Sequence, residues 1–270
     1  MGKWRTYGRR GRSMTAGVIE QFVANLTLAG GSIDATGLNA VTALYSSLAT
    51  AGVWDRLTQV WPCVGVGLAS ALQLLKWIPG DPTSYGNVNF IAGNYSQTGG
   101  SGGLTGDGAT RYLTGAPSNA QMGLDSSFFV SCRAGFAGAG NRFFGGSIAG
   151  GDQFWVGSLN PAASVATRLG LLATATLAAA ATNNRWTGSR VSASSIALYQ
   201  DAVSVATDAT GITAPTSGQR QFIFAVNSAG SPAGLMACRL TGVAFGLSLS
   251  AQNVSDLSSA WATFDSALSR

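Results

Sequence analysis

The feature that most constrains the fold is a long succession of short strand-like segments that begins at Trp61. These apolar runs alternate with clusters of Gly, Asn, Ser and Pro, a spacing typical of β-sandwiches and jelly rolls. No internal repeat is visible, which argues against a propeller or a solenoid. The predicted strands are Val60–Val66, Val88–Ile91, Arg111–Leu113, Phe128–Ala134, Arg142–Ile148, Gln153–Leu159, Ala166–Leu172, Arg185–Ser192, Ser195–Gln200, Val203–Thr207, Gln219–Asn227 and Leu235–Leu247.

Helical periodicity is confined to the two ends of the chain. A stripe with steps of three and four residues predicts a helix from about Asp34 to Ala51, and Gly52 is its stop signal. Ser250 is a suitable N-cap for a second helix over residues 250–268, which we expect to dock on the sheet edge or on the first helix. The stripes consist of Leu38, Val41, Leu44, Tyr45 and Leu48, and of Val254, Leu257, Trp261, Phe264 and Leu268. Residues 18–26 have looser helical spacing, which fits either a short helix or an extended clasp.

One uncharged stretch, residues 57–75, approaches membrane-spanning length. Pro62 and several Gly and Gln residues instead favour a buried strand followed by a short helix, so we expect no membrane insertion. Polar residues at 20, 21 and 25 interrupt any continuous apolar stretch behind the basic N-terminus, and we predict no signal peptide. The three cysteines lack metal-type spacing and are predicted to be buried apolar side chains.

The net charge of +5 is concentrated at the N-terminus. The five basic residues there are Lys3, Arg5, Arg9, Arg10 and Arg12, while the remaining eleven basic residues are matched by eleven acidic ones. We therefore divide the chain into a basic N-terminal arm (1–13), a helical attachment segment (14–58) and a sandwich (59–270). The arm has too few apolar residues to fold alone, and it either contacts nucleic acid or an acidic neighbouring subunit, or is a frayed, solvated terminus.

Charged residues make up only 10% of the chain, against about 25% in a typical soluble domain. A surface of Ser, Thr, Asn, Gly and Ala suits a subunit packed against neighbours, because buried unpaired charges are costly. The alternative is a secreted β-protein with a neutral coat, since low charge promotes association without requiring it.

The sequence contains no histidine, which excludes Ser-His-Asp and Cys-His hydrolysis and His-based zinc sites. Glu20 is the one Glu, and no two Asp are closer than seven residues; Asp201 and Asp208 flank a hairpin and are expected to be turn residues. The Gly-rich run 98–108 lacks a P-loop ending and is predicted to be a flexible loop. Asp107 and Asp152 have no adjacent second acid for calcium. We predict no catalytic residue, no metal site and no cofactor.

The order of several motifs resembles the concanavalin A-like (laminin-G-like) domains of bacteriophage structural proteins. The motifs are LTGDGATRYL (104–113), SSIALYQDAV (194–203), FAVNSAG (224–230) and LSLSAQ (247–252). The resemblance covers about residues 60–270 and implies an antiparallel lectin-type jelly roll closed by a C-terminal helix. Asp201-Ala202 stands where this family commonly has Asn-Gly, so we expect a different turn or a longer loop at that hairpin.

Such sandwiches present faces on which aromatic rings stack against sugars. The candidate glycan-binding residues are Trp155, Asn183, Asn184, Arg185 and Trp186, which combine aromatic faces with amide donors and acceptors. The alternative is that both tryptophans are core residues of their strands.

The resemblance implies a non-enzymatic virion structural protein, made in the host cytoplasm: a capsid decoration, collar or tail- or fibre-associated subunit anchored by its N-terminal region. Its expected partners are other virion subunits, with the chain as a homo-oligomer or in many copies on a particle. The alternative function is a carbohydrate-binding receptor-recognition module of a phage tail, with a host surface glycan as partner.

Overall fold

The computed structural model describes residues 7–135, 142–149, 152–159, 164–169, 174–177, 184–211 and 214–270. The helices are α1 (Tyr7–Leu28), α2 (Ala35–Thr50), α3 (Leu68–Ala71), α4 (Asn119–Met122) and α5 (Ala251–Ala267). The strands are β1 (Leu57–Trp61), β2 (Gly86–Val88), β3 (Tyr95–Ser96), β4 (Gly103–Thr105), β5 (Tyr112–Thr114), β6 (Ser126–Ala134), β7 (Arg142–Ala149), β8 (Asp152–Leu159), β9 (Ser164–Leu169), β10 (Thr174–Leu177), β11 (Arg185–Ser192), β12 (Ser195–Gln200), β13 (Val203–Asp208), β14 (Phe222–Ile223), β15 (Val226–Ser228), β16 (Ser231–Ala233) and β17 (Arg239–Gly246).

The described strands form two sheets. Sheet I has the order β13-β12-β11-β6-β17-β4-β3, and β1 also pairs with β17. Sheet II has the order β10-β9-β8-β7-β14-β5-β2, extended by β15 and β16 beside β7. The pairs between these strands are antiparallel except β15 with β7, which is parallel. The chain is thus a mainly β, antiparallel sandwich with helices at both ends, as the sequence predicts.

The main core lies between the two sheets because alternate residues of each strand face inward. On β6, Phe128 and Val130 belong to this core, and their rings and methyl groups meet Phe154 and Val156 of β8. Phe128 stacks on Phe245 of β17 with ring centroids 4.5 Å apart. The opposite face of sheet I is also apolar, so it requires a second layer.

That second layer is helical. Phe129 of β6 and Ala244 of β17 face α1, α2 and α5, which together form a second buried cluster. Gly242 of β17 permits the close approach of α5, because a Cβ at this position would overlap the indole of Trp261. Of the two predicted docking positions of the C-terminal helix, the one on the first predicted helix is confirmed, since α5 packs on α2; the other was wrong, because α5 lies on the face of sheet I and not on its edge.

The predicted helices are confirmed closely. Asp34 caps α2 by accepting a hydrogen bond from Gly37 N at 2.7 Å, and Ser250 caps α5 by accepting one from Asn253 N at 3.2 Å. Residues 18–26 belong to a helix rather than a clasp, since α1 extends to Leu28. The apolar stretch 57–75 contains β1 and the short helix α3, as expected.

The longer predicted strands match β6–β9, β11–β13 and β17, while several short elements were not predicted. The Gly-rich run 98–108 is more than a loop, because it contains β4, which pairs with β3 and with the start of β17. The predicted strand at 88–91 is displaced to Gly86–Val88, and α4 was not predicted.

The prediction of a different turn or a longer loop at the β12–β13 hairpin was wrong. Gln200 pairs directly with Val203, so the turn has two residues. Asp201 and Ala202 have φ values of 45° and 75°, the positive angles that a type I′ turn requires at both positions. The Asp201 carboxylate accepts a hydrogen bond from Arg185 N at 3.0 Å and pairs with the Arg185 guanidinium at 2.9 Å. These contacts hold a turn that lacks the usual glycine.

Residues 14–58 and the sandwich share one hydrophobic cluster. Phe22 and Leu26 of α1 and Leu44 of α2 are buried together with Phe129 of β6 and Ala244 of β17. Through these residues, the predicted attachment segment forms a layer that packs on sheet I of the sandwich. In the part of the chain that is described, no helix combines the length and apolar character needed to span a membrane. The three cysteines are buried and free, as predicted.

Candidate functional site

The predicted basic arm is only partly described. Lys3 and Arg5 lie outside the described residues, while Arg9, Arg10 and Arg12 lie in the first turns of α1. Residues 7–13 of the predicted arm are therefore the start of a helix that continues to Leu28, and they do not form a structure of their own. Among residues 17–28 of α1, whose side chains are described, Phe22, Asn25 and Leu26 are buried, and Val18 and Ile19 pack partly buried against the same cluster.

Trp155 lies on β8, with its side chain on the outer face of sheet II. There it forms a small buried cluster with Phe143, whose ring meets it edge to face at 5.3 Å. Gln153 Oε1 accepts a hydrogen bond from the indole N–H at 3.4 Å, and the Arg168 guanidinium lies 5.8 Å from the ring centroid. Only 2% of Trp155 is exposed. The ring does not offer a stacking face for a sugar, which corrects the glycan prediction at this residue.

Trp186 belongs to the other sheet and points into the main core, where it is fully buried. The alternative prediction, that both tryptophans are core residues, describes the structure. Asn184 and Arg185 lie at the start of the same strand, and Arg185 is engaged by Asp201. Asn183 lies outside the described residues. The two tryptophans lie in different sheets, so the four described candidates do not form one aromatic platform.

The two aspartates considered for calcium are used by the protein's own backbone. Asp107 accepts hydrogen bonds from Ala109 N at 2.9 Å, Thr110 N at 2.8 Å and Arg111 N at 3.0 Å. Burial raises the pKa of Asp107, but these bonds and the Thr110 hydroxyl outweigh it and lower the pKa overall. Asp152 accepts from the amides of Thr216 and Ser217, each at 2.6 Å. Both carboxylates act as loop staples.

The hairpin aspartates do not form a carboxylate pair. Asp201 occupies the tip of the β12–β13 hairpin, whereas Asp208 pairs with Ile196 at the far end. Six residues of strand separate them by about 20 Å. Two-carboxylate glycoside hydrolysis needs groups roughly 5 to 10 Å apart, so this pair does not supply it.

A buried ion pair ties the end of α5 to sheet I. The Arg270 Nε donates to Asp265 at 3.3 Å, and its other four N–H groups reach the carbonyls of Pro62, Cys63, Gln97 and Thr241. Burial raises the pKa of Asp265, and this is opposed first by Arg270 and then by the Thr241 and Ser131 hydroxyls. Every donor of Arg270 is occupied, so this arginine is structural.

Next to this ion pair is a polar pocket of about 530 Å³. It is lined by Gly100, Arg133, Arg239, Ser266, Ser269 and Arg270. Arg133 ends β6 and Arg239 begins β17, and the two strands are neighbours in sheet I. Neither of these two arginines takes part in the ion pairs among the described residues. We call this recess the arginine pocket.

The arginine pocket was not predicted from the sequence. Arg133 and Arg239 are far apart in the chain and meet through strand pairing. The available signal was weak: each stands at one end of an otherwise uncharged apolar run, with no acid in the same run. Only the register of β6 against β17 brings the two together.

An apolar recess of about 670 Å³ lies beside α1 and α2. Its aromatic wall includes Trp54, whose ring meets Tyr45 edge to face at 4.7 Å. Lys76 Nζ lies 4.8 Å above the Trp54 ring and donates to the Trp54 carbonyl at 2.6 Å. These contacts fix the wall of the recess.

No protein-family model matches the sequence, and no curated protein matches it either. Among solved structures, a mutant of Trypanosoma rangeli sialidase displaying trans-sialidase activity aligns with a TM-score of 0.52 at 9% identity, over 84% of this chain and 39% of that one. Domain 4 of AbnA, a GH43 extracellular arabinanase from Geobacillus stearothermophilus, in complex with arabinotriose, aligns at 0.48 and 11% identity, over 75% and 98%. NanB sialidase from Streptococcus pneumoniae aligns at 0.40 and 15% identity, over 48% and 23%.

The chain spans between 23% and 39% of the sialidase chains it matches. At this level of identity the similarity shows the fold. The chain is a mainly β sandwich of a kind that also occurs within the chains of glycoside hydrolases.

Proposed function

We propose that this chain is a non-enzymatic structural protein of a bacteriophage virion, a capsid decoration, collar or tail- or fibre-associated subunit. In this proposal its N-terminal region attaches it to other virion subunits, many copies are present on a particle, and the sandwich is exposed. The resemblance in motif order motivates the virion assignment. The attachment rests on the distribution of charge along the chain.

The observation that carries the attachment is the separation of a cationic helix end from a neutral body. The buried residues of α1, such as Phe22 and Leu26, lie in its last two turns. Arg12 precedes Phe22 by ten residues, or about 15 Å of helix. The basic positions therefore precede the described packing residues of the helix, which begin at Val18, an arrangement suited to an acidic subunit surface or to nucleic acid.

The use of the carboxylates supports a non-enzymatic role. The sequence has no histidine, so carboxylates are the main remaining acid–base groups. Asp81 pairs with Arg220, Asp201 with Arg185 and Asp265 with Arg270, while Asp107 and Asp152 staple loops. Groups with these structural partners are not poised to exchange protons with a substrate.

The attachment is tested by neutralising the basic residues of the N-terminus. Particles are produced in bacteria from the genome that encodes the chain, purified on a density gradient and analysed by quantitative mass spectrometry. We expect the wild type in many copies, and a variant with Lys3, Arg5, Arg9, Arg10 and Arg12 changed to Gln at least tenfold depleted. The matched control changes the four arginines to Lys, which keeps the charge, and should be incorporated normally.

Two results would count against the proposal. If the wild-type chain is absent from purified particles, it is not a virion protein. If the neutralised variant is incorporated as well as the wild type, the N-terminal charge is not the attachment.

Carbohydrate binding is the second candidate, and the fold shared with part of a sialidase chain favours it. In this alternative the chain is the receptor-recognition module of a phage tail, and its partner is a host surface glycan. A glycan array with the full chain tests it, and an array without any saturable signal would remove this candidate.

A further inference from the structure

The arginine pocket is lined by three arginines, and the one carboxylate among the described residues that acts on them is Asp265, which pairs with Arg270 and also lies within the electrostatic reach of Arg133. All eleven acidic residues of the sequence lie in the described part of the chain, and none forms an ion pair with Arg133 or Arg239. Arg239 Nε is buried and has no hydrogen-bond partner among the described residues. A buried donor left unpaired is unfavourable, and more so when it is charged. The empty pocket is therefore electrostatically unfavourable.

The third arginine of the pocket does not change this balance. Arg270 is neutralised by Asp265, and its five N–H groups already have acceptors. It forms a fixed wall, and since a single carboxylate serves the three guanidinium groups, the pocket keeps an excess of positive charge. Burial, and next the charge of Arg133, lower the pKa of Arg239, which agrees with two guanidinium groups facing one space.

A β-bulge places the two arginines in one space. Arg239 pairs with Ala134 and Leu240 pairs with Cys132, so Arg133 is an extra residue on β6. Bulges re-aim side chains and are frequent beside functional sites. Cys132 and Leu240 face the main core, which leaves Arg133 and Arg239 on the side of α5.

The end of α5 does not neutralise the pocket. A helix C-terminus carries partial negative charge on its free carbonyls, which favours cations. Here the carbonyl of Asp265 accepts from the amides of Leu268 and Arg270, and the carbonyl of Ser266 accepts from Ser269. The last turn is thus engaged by its own chain.

From this geometry we propose that the arginine pocket binds a small organic molecule that carries an oxyanion, a carboxylate or a sulfate. Guanidinium groups match the planar or forked oxygens of these anions, often with two parallel hydrogen bonds. The exposed hydroxyls of Ser266 and Ser269 provide further donors and acceptors at the rim. A volume of about 530 Å³ exceeds that of a lone inorganic anion and falls within the range of small-molecule sites. This site is independent of the virion role.

The proposal is tested by isothermal titration of the full chain with sodium sulfate, glucuronate and glucose. We expect saturable binding of sulfate and glucuronate, with glucuronate tighter because it fills more of the pocket, and no binding of glucose. The variants Arg133→Gln and Arg239→Gln should each lose at least tenfold in affinity. Arg111→Gln is the matched control, since Arg111 is a partly exposed arginine paired with Asp107 outside the pocket.

A second variant tests the pocket without touching either arginine. Gly100 lines the pocket and has open space where a Cβ would stand, so Gly100→Glu places a carboxylate beside the guanidinium groups. It should abolish anion binding and raise the melting temperature at low salt. Gly218→Glu, at another open and exposed glycine, is its control and should do neither.

The melting temperatures of the anion-free variants separate a binding role from a structural one. Removing one of two like charges should leave the melting temperature of Arg239→Gln unchanged or raised at low salt. A clear loss of stability in this variant, or sulfate and glucuronate affinities equal to those of the wild type in both arginine variants, would overturn the proposal. The proposal would also be overturned if the wild type bound neither sulfate nor glucuronate in a saturable manner.

Discussion

At the scale of single residues, the arginines of this chain differ in how completely their buried donors are hydrogen-bonded. Arg270 shows this best, because one side chain joins the end of β1, β17 and α5 through five donors. Arg239 shows the opposite, with a buried Nε that lacks a partner. An unpaired donor alone does not mark a binding arginine, since Arg185 Nε and Arg190 Nη2 are also buried without a partner among the described residues; Arg239 differs because it lines a pocket.

Replacing Arg270 should be strongly destabilising. Arg270→Met leaves the buried Asp265 carboxylate without its counter-charge, and we expect a loss of about 3 to 5 kcal/mol in the free energy of unfolding measured with urea. The double variant Arg270→Met/Asp265→Leu should recover much of this loss, since no isolated charge remains buried. A single variant within 1 kcal/mol of the wild type, on the scale of an exposed pair, would contradict this role.

Asp107 should make the stability of the chain dependent on acid. Its pKa is lowered in the folded state, so its contribution is present above the unfolded pKa of about 4 and is lost as the pH falls below that value. The melting temperature of the wild type should exceed that of Asp107→Asn at pH 6, and the difference should shrink towards pH 3. An advantage of the wild type that grows on acidification would refute the assignment.

At the scale of elements, the β12–β13 hairpin shows a local signal overridden by surrounding contacts. Ala202 adopts a φ of 75°, which is unfavourable for any residue with a Cβ. The Arg185–Asp201 contacts and the pairing of β12 with both neighbours hold it there. The turn therefore has the backbone geometry of type I′ although it lacks the Asn-Gly pair by which such turns are usually recognised in a sequence.

Ala202→Gly should stabilise the protein. Removing the Cβ relieves a left-handed conformation that costs about 1 to 2 kcal/mol, partly offset by the greater freedom of glycine in the unfolded chain. We expect a net gain of about 0.5 to 1 kcal/mol, read from urea denaturation. Ala206→Gly, on β13 of the same hairpin, is the control and should destabilise by about 0.5 to 1 kcal/mol. Equal effects of the two changes would argue against strain in the turn.

At the scale of the whole molecule, sheet I is covered on both faces, by sheet II and by the helices. Amide hydrogen exchange should therefore be slowest in the central strands β6 and β17 and much faster in β13, whose side chains are mostly exposed or half-buried. Mass spectrometry of peptides after timed exchange checks this order. Equally slow amide exchange in β13 and β6 would show that the coverage of sheet I by sheet II and by the helices does not control local opening.

The sequence predicts the large elements because their signals are local. The stripe of α5 and the apolar run of β6 are visible without knowledge of their partners. The candidate sites depend on what lies across a sheet. From the sequence, Trp155 is a candidate aromatic platform, but in the structure Phe143 and Arg168 pack against its ring. Arg133 is only a strand end in the sequence, and it is the β-bulge that directs it towards Arg239.

The position of β17 in sheet I has a consequence for synthesis on the ribosome. This strand lies between β6 and β1, yet it is the last strand in the chain and is followed directly by α5. A nascent chain that has completed every other strand still presents the edge of β6 unpaired, with Phe128 and Phe129 on it. Sheet I closes only after β17 has emerged, so a nascent chain that lacks this strand has an open, aggregation-prone edge.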